Sequence, residues 1–326
     1  MSSRQLLDDV ATPLPSANFG VGNAAAVAEI NSGLLQEHAE VSPKYFYDPL
    51  GSKLFEAITQ LPEYYPTRTE RGIFERHAAE IAGNIGTGVT MIDLGAGNCD
   101  KARRLFPVLR PAQYVAVDVS TEFLFDALRE MRGKFPDIDM QALGMDLSSG
   151  LTLPRSVRKD QRLFFYPGSS IGNFTPAAAL ELLRDLRRQC GAAGGVLIGV
   201  DLVKPASILE PAYDDALGVT AAFNLNLLNH LNRLINANFN PADWRHLALF
   251  NAALSRIEMH LEARRNLTVS LPGGERRFAR GERIHTESSY KYELLQFHAL
   301  LVKAGFRNIN TWTDERRWFA VCHASI

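Results

Sequence analysis

The sequence predicts an α/β fold, a parallel, doubly wound sheet interrupted by a second, smaller domain. Three observations carry the prediction. Five short apolar runs recur at strand length (90–94, 114–119, 140–147, 162–166 and 195–202), stretches of helical spacing separate them, and the rhythm changes after Asp201. A length of 326 residues suits two domains or one large domain with an insertion, and a 46% hydrophobic content is enough for a core.

The first forty residues are rich in Ser, Ala, Asn and Gly with little periodicity, so 1–40 reads as a lead-in carrying one helix. The pattern becomes firm at Val41. Between the five runs, 122–134 and 177–189 have helical spacing. Residues 206–255, rich in Ala, Leu and Asn, read as several helices with no strand. Beyond them 256–271 and 276–286 look extended, and 293–304 reads as a helix stopped by Gly305. Two final strands, 308–313 and 318–323, flank a polar turn at 314–317.

Charge excludes several classes of function. Thirty-five basic against thirty-six acidic residues give a net charge of -1, with no whole-chain pull toward nucleic acid or membrane phosphates. No apolar run approaches the ~18 residues of a membrane span, and Asp8 and Asp9 soon after Arg4 break the order of a secretion signal. Cys99, Cys190 and Cys322 lie far apart without a C-x-x-C pair, and none of the histidines has metal-ligand spacing. The expectation is a soluble, cytoplasmic monomer without a metal.

The chemistry starts at Thr90-Met-Ile-Asp-Leu-Gly-Ala-Gly-Asn-Cys-Asp-Lys101, where Gly95 and Gly97 sit at the turn out of the first strand and let backbone approach a nucleotide. A dinucleotide fingerprint would place a third glycine where Asp100 stands. Asp93 would repel a pyrophosphate but attract a sulfonium or ammonium. The next strand ends at Asp118, placed for ribose hydroxyls, and the third at Asp146, placed for an adenine amino group. These acids around two glycines fit S-adenosyl-L-methionine better than NAD, although Asp and Gly also populate ordinary turns.

Gly168-Ser169-Ser170-Ile171-Gly172 matches the G-x-S-x-G pattern of a hydrolase elbow. In a true elbow the helix begins almost at the nucleophile. Here Asn173-Phe174-Thr175-Pro176 intervenes, with Thr175 as cap and Pro176 at the first helical position, so the serines read as loop. The loop then serves as a substrate floor on which Asn173 offers both donor and acceptor. Tyr45-Phe46-Tyr47 and Tyr64-Tyr65 fit core packing, and equally a wall for a cationic ligand.

Several long segments together resemble the S-adenosylmethionine-dependent histidine N-alpha-methyltransferases of ergothioneine biosynthesis, which make the betaine hercynine. They are Tyr45 to Asp48 with Gly51 and Phe55, Leu61-Pro-Glu-Tyr-Tyr-Pro-Thr-Arg-Thr-Glu70, the glycine loop, and Gly168 to Pro176. More specific are Asp201-Leu-Val-Lys204, Ala212-Tyr-Asp-Asp215, Gly218 to Asn224, Arg256-Ile-Glu-Met259 and Thr286-Glu-Ser-Ser289. The resemblance covers roughly 41–326 and departs at Ala96, where a serine is common, and at Leu147, where an aromatic can occur.

It implies a Rossmann-like class I methyltransferase sheet with a smaller α+β substrate domain. The substrate domain would take 41–80 and the insertion 203–290, the cofactor half 81–202, and the return to the sheet 291–326. Tyr64, Gly95, Gly97, Lys101, Asp118, Asp146 and Gly168 would contact the cofactor. Asn173 and Tyr213 would act as the catalytic pair, holding the α-amine and carboxylate of L-histidine, and Tyr47, Met259, Glu287 and Ser289 would line its imidazole end. Without the resemblance Tyr213 reads as a helix staple, Met259 as core and Glu287 as a rim acid. A same-fold enzyme for an indole amine and a cofactor-binding protein without turnover are the competing readings.

Overall fold

Strands buried on both faces need continuous apolar runs, and the chain supplies them in β1 (Thr90–Leu94), β4 (Arg162–Tyr166) and β5 (Gly195–Asp201), every residue of which is buried. These strands lie in a computed structural model that describes residues 24–191 and 193–326. β2 (Gln113–Asp118) is nearly as buried, whereas β3 (Asp139–Gly144), at the sheet edge, mixes buried and accessible positions. Most of the lead-in, residues 1–23, lies outside the described residues; the helix Ala24–Leu34 forms within the remainder.

After β5 come β6 (Trp244–Asn251), β7 (Arg256–Ala263), β8 (Leu267–Leu271), β9 (Gly274–Phe278), β10 (Arg283–Tyr290), β11 (Arg307–Thr313) and β12 (Phe319–Ser325). The large sheet has seven strands in the order β11-β12-β5-β4-β1-β2-β3, with β12 antiparallel to β5. The chain winds outward in both directions from β1 and β4, which opens a crevice at their C-terminal ends. This is the Rossmann-like α/β sheet of the expectation. Helix Pro176–Gln189 starts on Thr175, whose side chain accepts the Ala178 N–H, and Gly305 ends the helix Leu294–Lys303 with φ +98°.

Two hydrophobic clusters cover the faces of this sheet, and a third gathers residues from Ala26 to Tyr65 with residues from Leu209 to Ile284. The third cluster packs the helix Val219–Ile235 against a three-stranded sheet, β10-β7-β6. Here the expectation of helices alone over 206–255 is corrected, because β6 pairs with β7 from Trp244↔Ala263 to Asn251↔Arg256. Leu and Ala at 247–249 give no strand signal of their own, and cross-strand pairing overrides propensity.

β10 carries a bulge. Its register passes from His285↔His260 to Glu287↔Met259, leaving Thr286 over, and the Thr286 hydroxyl donates to the Met259 carbonyl at 3.0 Å. The extra residue reverses the alternation. Ile284, Glu287 and Ser289 therefore share one face, opposite Leu261, Met259 and Ile257, and that face looks onto the third core.

Trp244 is 1% exposed, tilted against Phe239 and edge-on to Phe278, ring centroids 5.9 and 5.0 Å away. Trp244→Ala is expected to cost about 3–5 kcal/mol, read as a lowered thermal midpoint in calorimetry.

Candidate active site

Gly95 and Gly97 take φ +71° and +53° as the chain leaves β1, a left-handed conformation that favours glycine. The Gly97 N–H donates to Asp118 Oδ2 at 3.0 Å, and the Ser120 N–H donates to Oδ1 at 2.9 Å. Burial pushes the Asp118 carboxyl above its usual range despite these bonds. Each oxygen keeps accepting capacity, as a ribose diol requires. Asp93 is fully buried behind them; burial raises it to about 7, while the Tyr114 hydroxyl, donating at 2.7 Å, opposes the shift.

Lys101 and Gly168 meet through a residue the sequence reading left without a role. Glu70, 1% exposed on the helix Tyr65–Ile85, accepts the Lys101 ammonium at 2.7 Å and the Gly168 N–H at 2.7 Å. Gly199 makes room for it, since a Cβ there would lie 2.2 Å from Glu70 Oε1. The available signal was a carboxylate on an apolar stripe, Pro66, Glu70, Ile73, Phe74 and Ile81.

The opposite wall is aromatic. Tyr64 stands edge-on to Tyr213 at 6.2 Å and to Phe55 at 6.2 Å, and Tyr47 packs on Phe55 and Phe223. Burial raises the hydroxyl pKa of Tyr47 and Tyr64, and the charge of Glu287 adds to it in both. Asp118 acts on Tyr47 as well, so the end of β2 and the pocket face of β10 converge on one side chain. Glu287 is surrounded by protein yet partly accessible, and burial pushes it up to about 7 against the pull of Lys291.

Tyr213 donates to or accepts from Ser289 at 2.8 Å, and both accept the buried Lys291 ammonium, at 2.9 and 2.8 Å. The backbone of Tyr213 is held by His246, whose Nε2 lies 2.8 Å from its carbonyl. The Asn224 amide donates to His246 Nδ1 at 2.9 Å and to the His260 carbonyl, which places the imidazole proton on Nε2. Asn173 ends the turn Ser170–Asn173, which packs on β10; its half-buried amide bonds to no other described residue.

Asp146 lies two residues beyond β3, where it caps the turn Leu147–Ser149 and accepts the Lys44 ammonium at 2.9 Å. Burial works against its charge, but Ser148 and Lys44 hold it below the usual carboxylate range. Lys44 also pairs with Glu29, tying this strand end to the first described helix. In the hydrolase-like loop Gly168 and Ser169 are both left-handed, φ +77° and +61°, and the Ser169 hydroxyl accepts the Asp201 N–H; Ser170 bonds the Pro167 carbonyl.

Residues 26–326 match the model of a family described as histidine-specific, S-adenosylmethionine-dependent methyltransferases. The chain is 39% identical to a histidine N-alpha-methyltransferase of Mycolicibacterium smegmatis, over 92% of its own length and 96% of that protein. It is 32% identical, over 82% of its length, to ergothioneine biosynthesis protein 1 of Neurospora crassa, of which it spans 31%. A 4-dimethylallyltryptophan N-methyltransferase of Arthroderma benhamiae is 26% identical over 88% of this chain and 89% of that one.

Glu287 and Asp93, both raised to about 7, bind a proton more tightly folded than unfolded. Their contribution to stability is full below the unfolded carboxylate range and is lost as pH rises toward 7. Glu287→Gln is expected to flatten the fall in thermal midpoint between about pH 5 and 7.5; an unchanged slope would place that titration elsewhere.

Proposed function

We propose, for a chain that belongs to the family of histidine-specific, S-adenosylmethionine-dependent methyltransferases, that it converts L-histidine to hercynine by three successive N-alpha-methylations. This is the first step of ergothioneine biosynthesis. The observation that carries the reading is Glu287, turned by the bulge onto the same face as Met259 and Ser289 and toward Tyr47, Tyr64 and Tyr213. An acid there accepts an imidazole N–H and rejects side chains that leave it unpaired, by a few kcal/mol. An indole amino acid, suggested by the Arthroderma relative, would need a larger and less acidic pocket.

The cofactor side comprises Gly95, Gly97 and Asp118, with Lys101 and Gly168 held by Glu70, and Tyr64 and Asp146 at its borders. These residues fit the donor: two left-handed glycines admit backbone contact and Asp118 keeps lone pairs for a diol. When bound, S-adenosylmethionine supplies a sulfonium methyl group, the C–S bonding pair staying on sulfur as the substrate nitrogen forms the new C–N bond. The division into a cofactor half, 81–202 with 291–326, and a substrate half, 41–80 with 203–290, has the third core behind it for 41–65 and 209–284, whereas Ile73 and Phe74 pack on a face of the large sheet.

What the chain does is align and desolvate. Asn173 orients the amine lone pair, and Tyr213 takes the carboxylate. The amine attacks only when neutral, and burial beside a cation lowers its pKa. Each transfer leaves a positive charge on nitrogen, which loses a proton before the next, and the faces of Tyr47 and Tyr64 suit the growing cationic head. No side chain is assigned as general base.

Incubation with S-adenosylmethionine and each of the amino acids, read by mass spectrometry, is expected to add up to three methyl groups to histidine alone. Methylation of tryptophan instead would overturn the Glu287 argument. Glu287→Ala is expected to lower kcat/KM for histidine by about 100-fold, leaving cofactor affinity within a factor of about two. Glu70→Gln is expected to do the reverse, weakening cofactor binding about tenfold by releasing Lys101 from its charged partner, as calorimetry would show.

A further inference from the structure

Lys291 is 3% exposed, and nothing in the preceding mechanism uses it. It follows the last residue of β10, between two buried tyrosines, and its ammonium has three N–H groups and no acceptor. All three are accounted for: Tyr213 Oη at 2.9 Å, Ser289 Oγ at 2.8 Å and Asp201 Oδ2 at 2.9 Å.

The two hydroxyls must therefore both accept from Lys291, and at 2.8 Å from each other one must donate to its neighbour. Of the pair's two O–H groups, one is consumed inside the triangle and one is left over. Whichever hydroxyl holds it, the pair presents one outward donor backed by a buried positive charge. Asp201 does not cancel that charge, because it also accepts the Lys204 ammonium at 2.5 Å and the Tyr65 hydroxyl at 2.6 Å. Asp201 is shared between the two lysines, and Asp314 acts on Lys204 and Glu287 on Lys291 only from beyond ion-pair distance, so Lys291 keeps an excess of positive charge, and a buried charge of that kind needs an anion.

We propose that Lys291 is a positioning residue that makes Tyr213 and Ser289 a reader of the substrate's carboxylate. The inference rests on the reading of Tyr213 as the carboxylate contact, and it moves Ser289 from the imidazole end to the carboxylate because its hydroxyl bonds Tyr213 and Lys291. The amino acid's carboxylate takes the outward O–H and offsets the excess charge, and an uncharged carboxamide in its place does neither.

The test compares two inhibitors that lack the titrating amine, 3-(imidazol-4-yl)propanoate and its carboxamide, as ligands of the full chain. Wild type is expected to bind the carboxylate at least about tenfold tighter. Lys291→Met should cut that ratio to below about threefold, with S-adenosylmethionine affinity within about twofold of wild type, whereas a merely structural loss would weaken both inhibitors alike. A variant that binds the cofactor and keeps the wild-type ratio overturns the inference. A wild type that does not prefer the carboxylate overturns the reading of Tyr213 beneath it. Lys291→Gln, which keeps a donor without the charge, provides the second variant and should give an intermediate ratio.

Discussion

A single buried carboxylate, Asp201 at the end of β5, ties that strand to the helix after Tyr64, the loop after β4 and the chain after β10. Lys291 and Lys204 pair with it, the Tyr65 hydroxyl donates to it, and the Ser169 hydroxyl accepts its backbone N–H. Those partners come from four separate stretches of chain. Burial alone would raise its pKa, and the charges of the two lysines hold it below the usual range. An ion cluster of this kind gains little over apolar packing, but loss of one partner strands a buried charge at a cost of about 3–5 kcal/mol. It therefore fixes geometry more than it adds stability. The backbone follows the same path: the Tyr292 N–H donates to the Asp201 carbonyl, and the Val203 N–H donates to that of Tyr292, so the segment that follows β10 is laced to the end of β5.

Environment gives the acids of the crevice different characters. Asp118 is fixed by two backbone N–H groups and retains room to accept more, as a diol ligand needs. Asp146 accepts the Ser148 N–H and pairs with Lys44, which makes it a joint between the end of β3 and the turn Pro43–Phe46. Glu287 forms no ion pair among the described residues, and burial raises it to about 7 against the longer-range pull of Lys291. Glu70 carries no substrate role of its own; it sets the position of Lys101 and of the Gly168 backbone.

The aromatic wall connects these acids. Tyr47 feels both Asp118 and Glu287, and Tyr64 stands between Phe55 and Tyr213. Stacked Phe46 and Phe223 lie behind it, so the wall is anchored in the third core. Tyrosines held this way offer ring faces to a cation at low entropic cost, because packing has already fixed their rotamers. Among the described residues no helix is long and apolar enough to cross a membrane.

Much of this was present in the order of residues alone. Strands buried on both faces must be apolar throughout, so β1 and β4 stand at the predicted residues, and Thr175, Pro176 and Gly305 mark helix ends by local chemistry. The glycine loop and Asp118 were legible because strand, turn and acid lie within one local unit. β6 was not, since Leu and Ala become a strand there only by pairing with β7. Nor were Glu70 and Lys291, whose partners lie 31 and 98 residues away for Glu70 and 78 for the Lys291–Tyr213 bond. The sequence by itself determined which chemical groups the protein carries and the sheet that presents them. Only the tertiary structure decided that Glu287 and Ser289 share the face of β10 that looks onto the third core. That choice hangs on one unpaired residue, Thr286, because side chains alternate with a period of two and a single bulge exchanges the faces of everything beyond it.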